Sequence, residues 1–432
     1  MEQGGREEEA LTGGGRNDYN PGIGGVQIDG KGIGMKKPEI TVARRIERLP
    51  VYLFGQINAL KTAKRHAGVD IIDLGMGNPN DPTPAPIVEK LREAALDPRN
   101  HRYSASIGIP NLRREAAKLY QRYWSVKLDP DKEVVTCIGS KEGFSHLCLA
   151  LLGSGDTALA PAPAFPIHVH SIAMTGANVI RVPIAPDSLF LSKMADIAEH
   201  MTPKPKVAVL NYPHNPTTRT VELDFFREVV KIARRHNIML IQDFAYGLTT
   251  FGNYKAPSIL QVRGAKDLAV EFFTLSKGWN MAGWRIGFAV GNRQMLAALA
   301  RVKGYYDYGI FQPIQIATII AMRHCDEHVK QQAKIYERRR DVLCQQFARI
   351  GWNVRRPRAT MFVWAPIPKA LRKMGSMDLA MKLLEEANVA VSPGVGFGEE
   401  GEGYLRVALV ENEQRLAQAV RQIGRASRNW TT

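Results

Sequence analysis

From about residue 80 to 305 the chain alternates short, continuous apolar runs with amphipathic stretches of helical spacing, and this rhythm restricts the fold more than any other feature. The runs EVVTCI (133–138), DTALAPA (156–162), KVAVLNY (206–212), IMLIQD (238–243), VEFFTL (270–275) and RIGFAV (285–290) read as strands. Strands apolar at consecutive positions must be covered on both faces, the condition of a mostly parallel sheet flanked by helices. Between two of them, ELDFFREVVKIARRHN (222–237) sets apolar residues at helical spacing and ends in a basic turn, which a helix C-terminus favours. The predicted class is α/β.

From about 310 onward long helical patterns dominate, then come VRRPRATMFVWAPI, a further helix near 378–388 and the strand YLRVALV (404–410). That part reads as a smaller α+β domain. The expected division is a large domain over 81–309 and a small one built from 35–80 with 310–432. Residues 1–34 are Gly-rich and lack apolar periodicity, so a flexible extension is expected there, or sequence upstream of a natural start at Met35.

Lys and Arg number 58 against 42 Asp and Glu, and the resulting charge of +16 favours anionic ligands. Charge alone leaves nucleic acid, membrane surfaces and small carboxylates or phosphates open. The basic residues, Arg338, Arg339 and Arg340 among them, are dispersed over helices, and no helix-turn-helix is appended, which argues against a DNA-binding regulator. Cys137, Cys148, Cys325 and Cys344 are scattered without a CxxC pair, a poor basis for a metal site or a disulfide framework. A reducing cytoplasm is the expected compartment. No secretory leader is visible, and no apolar stretch is long enough to cross a bilayer.

In an open α/β sheet ligands gather beyond the carboxyl ends of the strands. EVVTCI is followed by Gly139 and Ser140-Lys141, where glycine allows close approach and the first amides of a helix can hold a phosphate. KVAVLNY is followed by Asn215 in a proline-rich turn, and IMLIQ by Asp243 with Tyr246 three residues on. VEFFTL runs into Ser276-Lys277, with Arg285 in GWNMAGWRIG. Each could be structural: a helix cap, a turn amide, a loop-capping carboxylate. Lysines rarely end buried strands unless paired or reactive, and desolvation beside other cations makes Lys277 a candidate amine nucleophile toward a carbonyl.

Together these parts suit a pyridoxal-phosphate site. Lys277 would bond the cofactor aldehyde, and Asp243 would pair with the pyridine nitrogen. Asn215 and Tyr246 would meet the ring hydroxyl, and Phe165 in APAFPIH would stack on the ring. The Ser140 and Lys141 amides, the Thr274 and Ser276 hydroxyls and Arg285 would bind the phosphate. No metal is expected.

The order GSKEG, NPT, DxAY, SK, GWRxG and a late LRVAL resembles fold-type I, class I/II pyridoxal-phosphate aminotransferases over about residues 40–425. The finer matches LGMGNPNDPTP, YSASIGIPNLR, EFFTLSKGWNMAGWRIGF and VSPGVGFGEEGEGYLRVALVEN are similar to bacterial alanine (glutamate–pyruvate) aminotransferases. That group stands near LL-diaminopimelate and aspartate aminotransferases. The resemblance implies a large pyridoxal-phosphate-binding domain with a smaller partner domain, and transfer of an amino group between an amino acid and a 2-oxo acid. It assigns the substrate α-carboxylate to Arg406, Asn215 and the backbone of Gly77. Tyr103 would reach the phosphate of a neighbouring subunit's cofactor, which implies a homodimer with shared active sites. Lys141 stands where some relatives meet the distal carboxylate of an acidic substrate. Three departures are visible: Thr218 where a glycine usually closes the NPT turn, Phe165 where tyrosine or tryptophan is common, and Ile107 where arginine is frequent. An elimination lyase or a decarboxylase is the rival chemistry for such a site.

Overall fold

The sheet predicted for the middle of the chain exists and carries seven strands. In the computed structural model, which describes residues 39–50, 54–428 and 430, it is formed by β2 (Val134–Cys137), β3 (Thr157–Ala162), β4 (Asn178–Pro183), β5 (Val207–Asn211), β6 (Met239–Asp243), β7 (Ala269–Thr274) and β8 (Gly287–Gly291). A two-residue strand, β1 (Ile72–Asp73), precedes them. The spatial order is β2-β8-β7-β6-β5-β3-β4, and β8 alone runs against its neighbours. The expected extension at 1–34 lies outside the described residues.

Both faces of this sheet are buried, as continuous apolar strands require. Along β5, Val207 and Val209 enter one core with Phe144 and Leu147, while Ala208 and Leu210 enter another with Phe225 and Phe226. The helix expected at 222–237 spans Leu223–His236 and supplies those two phenylalanines. Asn237 ends it in the left-handed conformation, φ +54°.

Two strand expectations shift. RIGFAV begins two residues late, at Gly287, because Arg285 adopts φ +53° and turns the chain before the ladder starts. β4 was not among the expected strands. It is the sheet's edge, and NVIRVP is mostly only part-buried, so the continuous apolar signature is missing.

A second, three-stranded antiparallel sheet has the order β11-β12-β9, with β9 at Phe362–Pro366, β11 at Ser392–Pro393 and β12 at Tyr404–Ala408. β1 pairs in parallel with β10 (Val389–Ala390), so the start of the described chain is laced to its end. Leu379 and Leu383 of the helix Ser376–Ala387 pack there with Val363, Val407 and Leu416. The change from one core to the other does not fall at 309/310. The helix Gln312–His324 packs on the helices Ala85–Leu96 and Pro110–Trp124, and its Ala317 and Ile319 belong to a core of the large sheet. The crossing occurs along the helix Asp326–Arg349, where Val329 joins the first core and Tyr336 the second. Residues 43–432 form one compact unit, and the described residues before it, 39–42, are exposed. No described helix is long and apolar enough to cross a membrane.

Candidate active site

Beyond the carboxyl ends of β5, β6 and β7 lies a cavity of about 410 Å³ that also receives Arg406 from β12. Lys277 follows β7 by three residues, and its Nζ donates to the Gly77 carbonyl at 2.7 Å. Burial, with the Arg406 and Arg285 guanidinium charges nearby, holds this amine down to about 8 from an ordinary 10.5. Asp243 ends β6 and lines the same cavity.

The Asp243 carboxylate is held in place. Its Oδ2 lies 2.9 Å from Nε2 of His168, a wholly buried side chain on the helix Ile167–Met174, and its Oδ1 accepts the Ala245 amide at 3.3 Å. The Asn211 side chain donates to the Asp243 carbonyl at 2.8 Å and accepts the Asn215 amide at 2.9 Å, so one amide fixes two neighbouring loops. Sequence reasoning missed both His168 and Asn211. Asn211 ends an apolar strand, which is a usable signal, whereas His168 has none because its partner lies 75 positions away. Tyr246 is buried with its ring edge-on to Phe362, and burial raises its phenol above the usual range.

The same cavity holds an anion cup. Gly139 adopts φ +73° just ahead of the helix Ser140–Leu151, and a Cβ there would collide with the Arg285 guanidinium. Arg285 is braced by its own Nη1 donating to the Ala282 carbonyl at 2.9 Å. The amides of a helix's first turn have no acceptor within the helix. The Ser140 Oγ is buried and without a hydrogen-bond partner among the described residues. The Thr274 hydroxyl donates to the Ile286 carbonyl at 2.9 Å, so its proton is committed inward. It accepts the Ser276 amide at 3.2 Å, and in the 2.8 Å contact between the two hydroxyls the Ser276 hydroxyl is therefore the donor, a bond it would exchange for one to an anion.

The far wall centres on Arg406, 7% exposed. Its Nη1 donates to Asn215 Oδ1 at 2.8 Å, and its Nη2 to the Gly75 carbonyl at 3.0 Å and Ser392 Oγ at 3.2 Å. The guanidinium lies 4.1 Å from the Phe362 ring centroid and 4.7 Å from that of Phe397, near enough for cation–π attraction. A side chain on Gly77 would strike the Phe362 ring, so glycine keeps this corner open. Phe165 lines the cavity with its ring edge-on to His168, and the Lys141 Nζ stands 5.9 Å from the Phe165 centroid. Tyr103 is not brought in. It is 90% exposed and packs on Tyr308, at 5.4 Å between centroids.

Thus the site presents one buried amine of lowered basicity, one carboxylate, and cations at two ends. That is a plan for a ligand bearing a carbonyl, a basic ring nitrogen and two anionic groups. Residues 69–423 match the family of class I and II aminotransferases, and the chain belongs to it. It is a pyridoxal 5′-phosphate-dependent enzyme that transfers amino groups. The glutamate–pyruvate aminotransferase AlaC of Escherichia coli is 49% identical over 379 residues, 88% of this chain and 92% of that one. An LL-diaminopimelate aminotransferase of Moorella thermoacetica is 40% identical over 383 residues, 89% of this chain and 97% of the relative. Among solved structures, substrate-bound BacF of Bacillus subtilis superposes with a TM-score of 0.84 at 34% identity, covering 90% of this chain and 98% of that one. The residues fit the cofactor on their own terms: the unpartnered Ser140 Oγ and the Gly139–Arg285 contact shape an anion cup, and the amine of Lys277 shares its cavity with Asp243.

Proposed function

We propose that the enzyme moves an amino group between L-alanine and pyruvate on one side and L-glutamate and 2-oxoglutarate on the other. The observation that carries the reading is that the Lys277 amine, the Asp243 carboxylate and the Arg406 guanidinium line one cavity, with Lys141 at its rim. Among the described residues no carboxylate pairs with Lys141, so its charge is available to a distal carboxylate. Alanine needs no such partner. The named activity of the AlaC relative supports the same pair of substrates.

Bound pyridoxal phosphate supplies an aldehyde that condenses with amines and a ring that draws electrons from the substrate's α-carbon. The Ser140 and Lys141 amides, the Ser276 hydroxyl and Arg285 would hold its phosphate, and Phe165 would stack on the ring. Asp243, oriented by His168, would accept the hydrogen bond of the protonated ring nitrogen, while Asn215 and Tyr246 would meet the ring hydroxyl. Arg406, with Asn215, would grip the α-carboxylate by a planar fork and so orient the substrate in the cavity that Lys277 lines. With the cofactor bound, Lys277 would take and return the substrate's α-proton as general base and acid, a task suited to an amine that burial holds to about 8. Exposed Tyr103 would reach a second copy's phosphate in a homodimer, the working form in this reading, and the compartment is the cytoplasm.

LL-diaminopimelate or aspartate is the second reading, favoured by the Moorella relative. Assay of purified protein against a panel of amino donors and oxo acids decides between them. Alanine with 2-oxoglutarate should be fastest. Preference for diaminopimelate would transfer the reading to the alternative, and pyruvate release without any added oxo acid would indicate a lyase.

A further inference from the structure

Behind the anion cup lies a charge cluster that takes no part in the chemistry above. Lys303, on the helix Arg293–Tyr306, has a wholly buried side chain, which lysine rarely tolerates unless paired. Its Nζ lies 3.1 Å from Glu142 Oε1 and 3.0 Å from Asp307 Oδ2. His146 Nδ1 lies 2.5 Å from Glu142 Oε1 and 3.5 Å from Asp307 Oδ2. Glu142, His146 and Asp307 offer ligand atoms all within 4.8 Å of one another, but the Lys303 ammonium already supplies the cation between the two acids.

Each acid spends its other bonds on backbone. Glu142 Oε2 accepts the Ile138 amide at 2.6 Å, and Asp307 Oδ1 accepts the Gly309 amide at 2.8 Å. Ile138 is the residue immediately before Gly139 and Ser140. A side chain from inside the helix therefore reaches back to clamp the strand-to-helix turn, and Lys303 fixes that side chain from behind. Donors bind an anion well only when already aimed, and a turn with a left-handed glycine has many ways to be misaimed.

We propose that Glu142, clamped by Lys303 and Asp307, is a positioning residue for the phosphate end of the cofactor, holding the Ile138–Gly139–Ser140 turn in its anion-binding shape. This rests on the cup being the phosphate site. Pyridoxal, which has the aldehyde and ring but no phosphate, separates that role from a general loss of structure. The test measures the affinities of the cofactor-free full-length chain for pyridoxal phosphate and pyridoxal, followed by absorbance on reaction with Lys277. In Glu142→Ala the affinity for pyridoxal phosphate should fall about tenfold or more, the scale of a lost charged hydrogen bond, while that for pyridoxal stays within about twofold. The isosteric Glu142→Gln should show a smaller loss of the same selectivity, and decides the matter if the alanine variant does not fold. Equal losses for both aldehydes, or no loss in a folded variant, would overturn the proposal. A wild-type chain with no preference for the phosphorylated aldehyde would instead remove the reading of the cup itself.

Discussion

On one wall of the cavity, Asn215, Asp243 and Lys277 stand within four residues of the ends of buried parallel strands. On the other, Arg406 is fixed by the carbonyl of Gly75, 331 positions earlier in the chain, by Asn215 at 191, and by the rings of Phe362 and Phe397. The first wall inherits its geometry from a sheet buried on both faces. The second is a ring of hydrogen bonds whose members have no local reason to meet. Cofactor chemistry thus rests on a sheet buried on both faces, and substrate grip on contacts that substitutions can disturb singly.

The strongest test of that contrast is Lys277→Ala, which should cut transamination by at least about 10³-fold, the scale of a lost general acid and base. The protein should keep its fold, because the amine's one hydrogen bond among the described residues is to a carbonyl. Unchanged turnover between amino and oxo forms would remove Lys277 from the chemistry. Arg406→Lys acts on the second wall and should lower kcat/KM about 100-fold, equally for alanine and glutamate, since a lysine cannot reach Asn215 and Gly75 together. A loss confined to glutamate would mean that Arg406 reads the distal carboxylate instead.

The walls also communicate through charge. Aldehyde capture by cofactor-free protein should rise with pH through a midpoint near 8, the value to which burial and the two guanidinium groups hold the Lys277 amine. Arg406→Met removes one of those charges and should move the midpoint upward; no movement would show that Arg406 plays no part in setting it. Because the folded amine titrates below its ordinary 10.5, the unfolded chain binds more protons between about 8 and 10.5. Cofactor-free protein should therefore gain stability as pH rises through that window, a gain that Lys277→Met lacks in thermal melts. The smallest effect is expected at the rim: Lys141→Ala should lower kcat/KM for glutamate severalfold and leave alanine unchanged, as a solvated charge pair contributes little. Equal effects on both substrates would end the distal-carboxylate role.

The difference between the walls also governs what could be read from the amino-acid sequence. Asn215, Asp243 and Lys277 were legible because polar groups that terminate continuous apolar strands are conspicuous. Arg406 and Tyr103 gained meaning from the family resemblance; by pattern alone Arg406 is a strand arginine and Tyr103 a packed aromatic. His168 was invisible, since a histidine in an apolar helix gives no sign of a carboxylate 75 residues on. Thr274 was read as a phosphate donor, but its proton goes to the Ile286 carbonyl, a contact that exists only once β7 and the approach to β8 lie side by side. The edge strand β4 escaped for the opposite reason: solvent on one side dilutes the apolar signal.

The lacing of β1 to β10 and of Gly75 to Arg406 has a consequence for the order in which the enzyme is made. On the ribosome, the seven strands, the Lys303–Asp307 clamp and the helix Gln312–His324 that packs on the sheet have been synthesised by His324, whereas Arg406 comes more than eighty residues later. At ordinary translation speeds that gap lasts on the order of ten seconds. A nascent chain in this interval holds the lysine and the phosphate cup but not the grip for an amino acid, so vitamin loading can precede the first moment at which substrate is recognised.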